Sequence, residues 1–375
     1  MPTARGTWHV ARGTQLKVKI LLIRLRLIGD VVFTTPVVRA LKRVFPAAHL
    51  SYLVEREAAP VVAGNPNLDS VIVIERSRGA RRLLDDVRLA RRLRRERFDI
   101  VIDLHGGPRS SWLALATGAP RRIGYDIAGR RWMYTRTVGR PRELRARHSV
   151  VNQWDLVEAI EGWPGGVPQP VHDAVEMAAD PGAESRIAAR LREAGVGADD
   201  ELIVIHVSAG NPFRRWPEAA FVQLAAELAR TGDRRRIILS SGPSDREAAA
   251  RILRRARAAL PSELAGRIMD FGEFSIAELR ALVARGRLFI GGDTGPLHVA
   301  ATTATPIVGV YGPTLAARSS PWRDPAVATE AVEVEGLDCR PCDQRSCIHE
   351  DFRCLTMLVP ERVLAAAERA MGQAT

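Results

Sequence analysis

The 375-residue chain has no run of about 18 apolar residues, so no segment is predicted to span a membrane. Its first sixteen residues are basic and polar and lack the apolar core of a secretory signal. Residues 1–16 are predicted to be a disordered leader on a cytoplasmic protein. No Walker sequence is present. No Gly-x-Gly-x-x-Gly follows the first predicted strand, where Leu27-Ile28-Gly29-Asp30 offers one glycine. Without that fingerprint an NAD-dependent oxidoreductase is disfavoured. Aromatic residues are scarce, at 5%, and none interrupts the densest basic run, Arg76 to Arg97. Zinc-finger, RNA-recognition and helix-turn-helix patterns are missing as well, which argues against nucleic acid as the partner. Cysteine is confined to four residues between 339 and 354.

Positive charge is abundant. The net charge of +12 implies an anionic partner, such as phosphorylated substrates or an anionic membrane face. Within Arg76–Arg97, Leu83, Leu84, Val87, Leu89, Ala90 and Leu93 are predicted to form an apolar helical face, with arginines on the other side. A solvated helix and a membrane-docking surface both fit that pattern.

Apolar strands alternate with helical periodicity in two halves. The first has strands at 19–25, 50–54, 71–74 and 99–103, with helices at 36–45, 57–63 and 80–96. The second has strands at 202–207, 236–240, 267–270, 287–291 and 306–310, with helices at 217–231, 245–258, 275–284 and 296–302. The pattern predicts an α/β fold with two doubly wound parallel sheets, and the length suits two domains. The Pro- and Gly-rich span Gly162–Pro170 is the predicted linker. The divisions are then 17–165, 166–345, and a cysteine-rich tail with a C-terminal helix over 346–375.

Three segments carry chemistry. Strand 287–291 runs into Gly291-Gly292-Asp293-Thr294-Gly295, and a helix is predicted to open at Pro296. Glycine permits a sharp turn and close ligand approach, and Pro suits a first helical turn. The N–H groups of Thr294, Gly295 and Leu297 would face outward as a phosphate site, unless this is an ordinary strand-to-helix turn. His298, one turn in, would touch phosphate or merely pack. Near the N-terminus, Asp30 ends the first strand, at the edge that faces the ligand crevice of open α/β sheets. It would serve there as a helix N-cap, a site residue, or both. The four cysteines follow C-x2-C-x4-C-x6-C: Cys339, Cys342, Cys347 and Cys354. In a cytoplasmic protein that spacing reads as a structural zinc site, with a redox pair or buried thiols as alternatives.

Residues 23–42, Ile-Arg-Leu-Arg-Leu-Ile-Gly-Asp-Val-Val-Phe-Thr-Thr-Pro-Val-Val-Arg-Ala-Leu-Lys, resemble the N-terminal signature of the lipopolysaccharide heptosyltransferases, glycosyltransferase family 9. Arg214-Arg215-Trp216-Pro217-Glu218, the 291–298 block and the cysteine-rich tail agree in order and spacing, so the resemblance runs from about Lys17 onward. It implies a GT-B architecture, with an acceptor-binding domain over 17–165 and a nucleotide-sugar donor domain over 166–345 facing across a cleft. The C-terminal helix would brace the first domain.

The resemblance also implies inverting, metal-independent transfer of heptose from ADP-heptose to the inner core of lipopolysaccharide. Asp30 would be the general base, in the turn with Gly29. Arg214 would stabilise the departing diphosphate, at a position where the family usually has Lys, so the match is by charge and place. An acid near 245–247 would hold the ribose hydroxyls, Glu247 in preference to Asp245. Asp293, Thr294, Gly295, Leu297 and His298 would complete the donor site. Trp216 is read as packing. The lipid A–core acceptor would meet arginines near 121–147, or Arg109, the best placed after a strand end. The alternatives are a family-9 transferase with another nucleotide sugar or acceptor, and an inactive nucleotide-binding protein.

Overall fold

A computed structural model describes residues 18–76, 79–140, 146–164 and 166–373. The predicted leader, 1–16, lies outside the described residues. The described chain falls into two compact units: 18–140 with Ser149–Asp173, and 146–148 with Ala174 onward.

The first unit is built on six strands: β1 (Lys19–Ile23), β2 (His49–Glu55), β3 (Ser70–Ile74), β4 (Ile100–Asp103), β5 (Arg121–Asp126) and β6 (Arg136–Gly139). The second repeats the plan with β7 (Glu201–His206), β8 (Arg235–Ser240), β9 (Ile268–Asp270), β10 (Leu288–Gly292), β11 (Ile307–Tyr311) and β12 (Thr329–Glu333). The sheet orders are β3-β2-β1-β4-β5-β6 and β12-β11-β10-β7-β8-β9. Every pairing is parallel. Helices cover both faces, so the central strands are near-continuous apolar runs: Ile20, Leu21, Leu22 and Ile23 in β1 and Ile203, Val204 and Ile205 in β7 are wholly buried.

Each order reverses once, between β1 and β4 in the first sheet and between β7 and β10 in the second. Ligands of such sheets bind outside the strand C-termini at that reversal. Ile23 stands beside Asp103 there, and Gly291 beside His206. The loops carrying Asp30 and Arg214 both leave from these points.

Two boundary expectations are corrected. The span Gly162–Pro170 is not a free linker. Trp154 Nε1 donates to Gly166 O at 2.7 Å, and Arg43 pairs with Asp173 at 2.9 Å, so this stretch packs with the first unit. The change of unit comes after Asp173. The C-terminal helix, Pro360–Gly372, belongs to the second unit. It buries Val363, Ala366, Ala367, Ala370 and Met371 in that unit's core, and Glu368 forks onto Arg235 at 2.6 and 2.7 Å. No helix among the described residues is long and apolar enough to cross a membrane.

Candidate active site

At the first switch point the chain leaves β1 through Arg24, Leu25, Arg26 and Leu27. Leu27 has φ 70° and is exposed, a left-handed turn costing ~1–3 kcal/mol for a non-glycine residue. It takes the N-cap place of the helix Ile28–Val32, so Asp30 is not the cap. Asp30 lies in the first turn, where a carboxylate is favoured by the helix dipole. Gly29 is buried beside it. The Asp30 side chain is one-third exposed and ion-paired to Arg24 Nη2. Arg24 Nη1 donates to Leu104 O at 2.6 Å, so this mostly buried guanidinium ties the ends of β1 and β4 together at Asp30. Arg24 went unassigned in the sequence; its signal was a lone basic residue in an apolar strand.

His105 follows β4. Burial, then Arg24 and Arg26, and to a lesser degree Arg140, push its imidazole down to about 4 against the opposing pull of Asp30. It is therefore neutral at physiological pH. Asp103, just before it, is wholly buried. Burial raises its pKa, opposed by hydrogen bonds from Tyr134 Oη at 2.6 Å and Ser110 Oγ at 2.8 Å. Gly124 makes room for this arrangement, since a Cβ there would collide with the Tyr134 ring.

Arg109, the arginine expected to meet the acceptor, has its charge engaged by two carboxylates. Its Nε and Nη2 donate to Asp86 at 3.0 and 2.7 Å and its Nη1 to Glu55 at 3.1 Å, and all three side chains are almost buried. It is a strut joining β2, the helix Gly79–Glu96 and the helix Pro108–Ala116. Arg109→Ala is expected to cost ~3–5 kcal/mol of stability by stranding two buried carboxylates. Chemical denaturation checks this, and an unchanged midpoint with a raised acceptor KM would restore Arg109 to acceptor binding. Among the arginines of 121–147, Arg122 is spent on Met133 O and Ala119 O. Residues 141–145 lie outside the described residues. Arg26 is exposed, and its charge, like that of Asp30, acts on His105.

The predicted apolar face of the basic helix is split. Leu89 and Leu93 are buried, whereas Leu83, Leu84 and Val87 are exposed, at 69%, 60% and 41%. Arg82 and Arg88 flank them.

At the second switch point, Arg214 leaves the β7 loop and reaches the β10 turn. Its Nη1 donates to Asp293 O at 2.9 Å and lies 3.3 Å from Asp293 Oδ2. Asp293 is 3% exposed. Thr314 Oγ1 donates to it at 2.6 Å, and His298 Nε2 is 3.4 Å from Oδ1. Burial alone would raise the Asp293 pKa, but His298, Arg214 and Thr314 hold it down at about 2. Asp293 is therefore a buried anchor for Arg214 and His298. His298, also buried, packs against that carboxylate.

The helix opens at Gly295 with Pro296 second, one residue earlier than predicted. The Leu297 N–H is spent on Thr294 O at 3.1 Å, which removes it from the expected phosphate donors. The N–H groups of Thr294 and Gly295 and the Nη2 of Arg214 make no hydrogen bond among the described residues.

Arg215, itself exposed, pairs with buried Asp245 at 2.9 Å. Asp245 is also gripped by Ser208 and Ser244. That leaves Glu247, exposed in the first turn of the helix Arg246–Ala258, as the available acid. Trp216 packs as expected, with Nε1 on Leu358 O at 2.9 Å and its ring edge-on to Phe221.

Cys339, Cys342, Cys347 and Cys354 all line one pocket, with Asp338 beside them. A group whose ligand atoms meet, all within 4.8 Å, is Asp338, Cys339 and His349. Cys354 is buried, and that burial pushes its thiol up to about 11. The segment also reaches Arg214: Gln344 Oε1 accepts from Arg214 Nε at 2.8 Å. Thr314 and Gln344 were both missed in the sequence, where no motif marks them.

The sequence profile of glycosyltransferase family 9 (heptosyltransferase) matches residues 87–352. Lipopolysaccharide heptosyltransferase 3 of Escherichia coli is 25% identical over 358 residues, spanning 94% of this chain and 98% of its own. Two solved structures share the fold. A family 9 glycosyl transferase from Veillonella parvula has TM-score 0.80 and 22% identity, covering 95% of this chain and 98% of that one. The E. coli ADP-heptose LPS heptosyltransferase II has TM-score 0.75 and 20% identity, covering 95% and 99%. The GT-B expectation for the fold is met by both sheets.

Proposed function

Because the chain belongs to glycosyltransferase family 9, the heptosyltransferases, we propose that it transfers heptose from ADP-heptose to the inner-core oligosaccharide of lipopolysaccharide. The observation that carries this is the second switch point. There an arginine fixed by a buried carboxylate keeps one Nη unspent beside the unspent N–H groups of Thr294 and Gly295. Such a set suits a nucleoside diphosphate.

In this mechanism Arg214 and the two amides take up the charge that grows on the diphosphate as the glycosidic bond breaks. That duty is one a magnesium ion performs elsewhere, so no catalytic metal is invoked. Asp30 removes the proton of the acceptor hydroxyl as it attacks the anomeric carbon, and one displacement inverts that centre. The diphosphate leaves without a general acid. Glu247 is the candidate for the ribose diol, since a carboxylate accepts two hydrogen bonds. Arg26, exposed four residues before Asp30, suits the acceptor's phosphates and carboxylates. The exposed Leu83, Leu84 and Val87 with flanking arginines suit an anionic membrane surface, here the cytoplasmic face of the inner membrane that displays the acceptor.

Thermal shift with ADP, UDP, GDP and duplex DNA tests the ligand class. ADP is expected to stabilise most, by about 2.7 kcal/mol at a hundredfold excess over Kd. Selective stabilisation by DNA, or by UDP over ADP, would overturn the assignment.

A further inference from the structure

We propose that Gln344 is a positioning residue that aims the Arg214 guanidinium at the donor's diphosphate, making the cysteine-bearing segment 338–354 a wall of the donor site. The inference rests on the reading that Arg214 meets that diphosphate. Gln344 Oε1 accepts from Arg214 Nε at 2.8 Å and from Asn211 Nδ2 at 2.9 Å. Arginine can only donate, so the amide oxygen must face it, and the orientation of the glutamine is settled by chemistry. A guanidinium is a rigid planar fork. Fixing Nε on Gln344 and Nη1 on the Asp293 carbonyl fixes its plane, and with it the direction of the unspent Nη2. A charge held in place before the ligand arrives costs less to use in the transition state.

Gln344 is itself held. Its φ is 60°, left-handed for a non-glycine residue, a conformation that persists where the surroundings over-determine it. Its N–H donates to Cys342 Sγ at 3.3 Å, and the Cys342 N–H donates to Pro313 O at 3.1 Å. The next residue, Thr314, bonds Asp293 at 2.6 Å. Phe352 sets its ring edge-on to Phe213, at 5.3 Å between centroids. The segment therefore holds Arg214 through Gln344 and is itself held next to Thr314, the residue that bonds Asp293.

Gln344→Met removes the acceptor and keeps the bulk. Calorimetric titration with ADP is expected to show about tenfold weaker binding, the scale of a lost hydrogen bond to a charged group. The donor KM should rise and the acceptor KM stay constant. In the Arg214→Ala background the same change should have no further effect on ADP affinity. Additive losses, or wild-type affinity in Gln344→Met, would overturn the proposal. If Arg214→Ala alone leaves ADP binding intact, it is the reading of Arg214 that fails. Should the Met variant not fold, Gln344→Glu decides. A carboxylate there neutralises Arg214 and should also weaken ADP, and unchanged affinity would refute the coupling.

Discussion

Asp30→Asn is expected to lower turnover by ~10²-fold or more while leaving ADP affinity unchanged, the usual scale for a lost general base. Asn keeps the shape and one carbonyl oxygen for Arg24, so the β1–β4 junction should hold. What disappears is the carboxylate proposed as the general base. Asp30 is suited to that task because one-third of its side chain remains exposed at the sheet's reversal, while the nearby His105 is neutral and mostly enclosed. Steady-state kinetics with an ADP titration on the folded variant separates the two effects. Near-normal turnover would remove Asp30 from the mechanism.

Arg214→Ala should slow transfer by ~10²–10³-fold, the range seen when one preorganised donor to a developing oxyanion is deleted. It should also weaken ADP binding, since ground state and transition state both carry the diphosphate charge. Arg215→Ala serves as the internal control. Its guanidinium is turned onto buried Asp245 and the Ala209 carbonyl, so its loss should lower the melting temperature more than the ADP affinity. Equal or reversed effects on ADP would show that the neighbouring arginine carries the phosphate. The two arginines are adjacent in sequence but hold different partners, Asp293 and Gln344 for Arg214, Asp245 and Ala209 for Arg215.

The central strands were legible because burial on both faces forces continuous apolar runs, as in β1, β7 and β10. Strands β6 and β12 were not, because they read as Arg-Thr-Val-Gly and Thr-Glu-Ala-Val-Glu, with no apolar run. β5 hid behind Arg121-Arg122 and a glycine needed by Tyr134. The helix Pro181–Glu193 was overlooked although Asp180 caps it through the Ala183 N–H at 2.9 Å.

Site residues showed the same division. Asp30 and Arg214 could be proposed from the sequence because each follows the end of an apolar strand. Gln344 could not, because its partnership with Arg214 spans 130 residues and depends on a left-handed turn that no motif announces. The ion pairs of Arg109 were hidden for the converse reason. Its place after a strand was read correctly, but Glu55 and Asp86, from 54 and 23 residues away, claim its charge.

The most direct measurement is product analysis after incubating the protein with ADP-heptose and heptose-deficient lipopolysaccharide in EDTA. Mass spectrometry and anomeric NMR should show one added heptose per acceptor, released ADP in equal amount, and a configuration at the new linkage opposite to that of the donor. Transfer that stops with EDTA and returns with magnesium, a retained anomeric configuration, or transfer only from a different nucleotide sugar would contradict the mechanism assigned to Asp30 and Arg214.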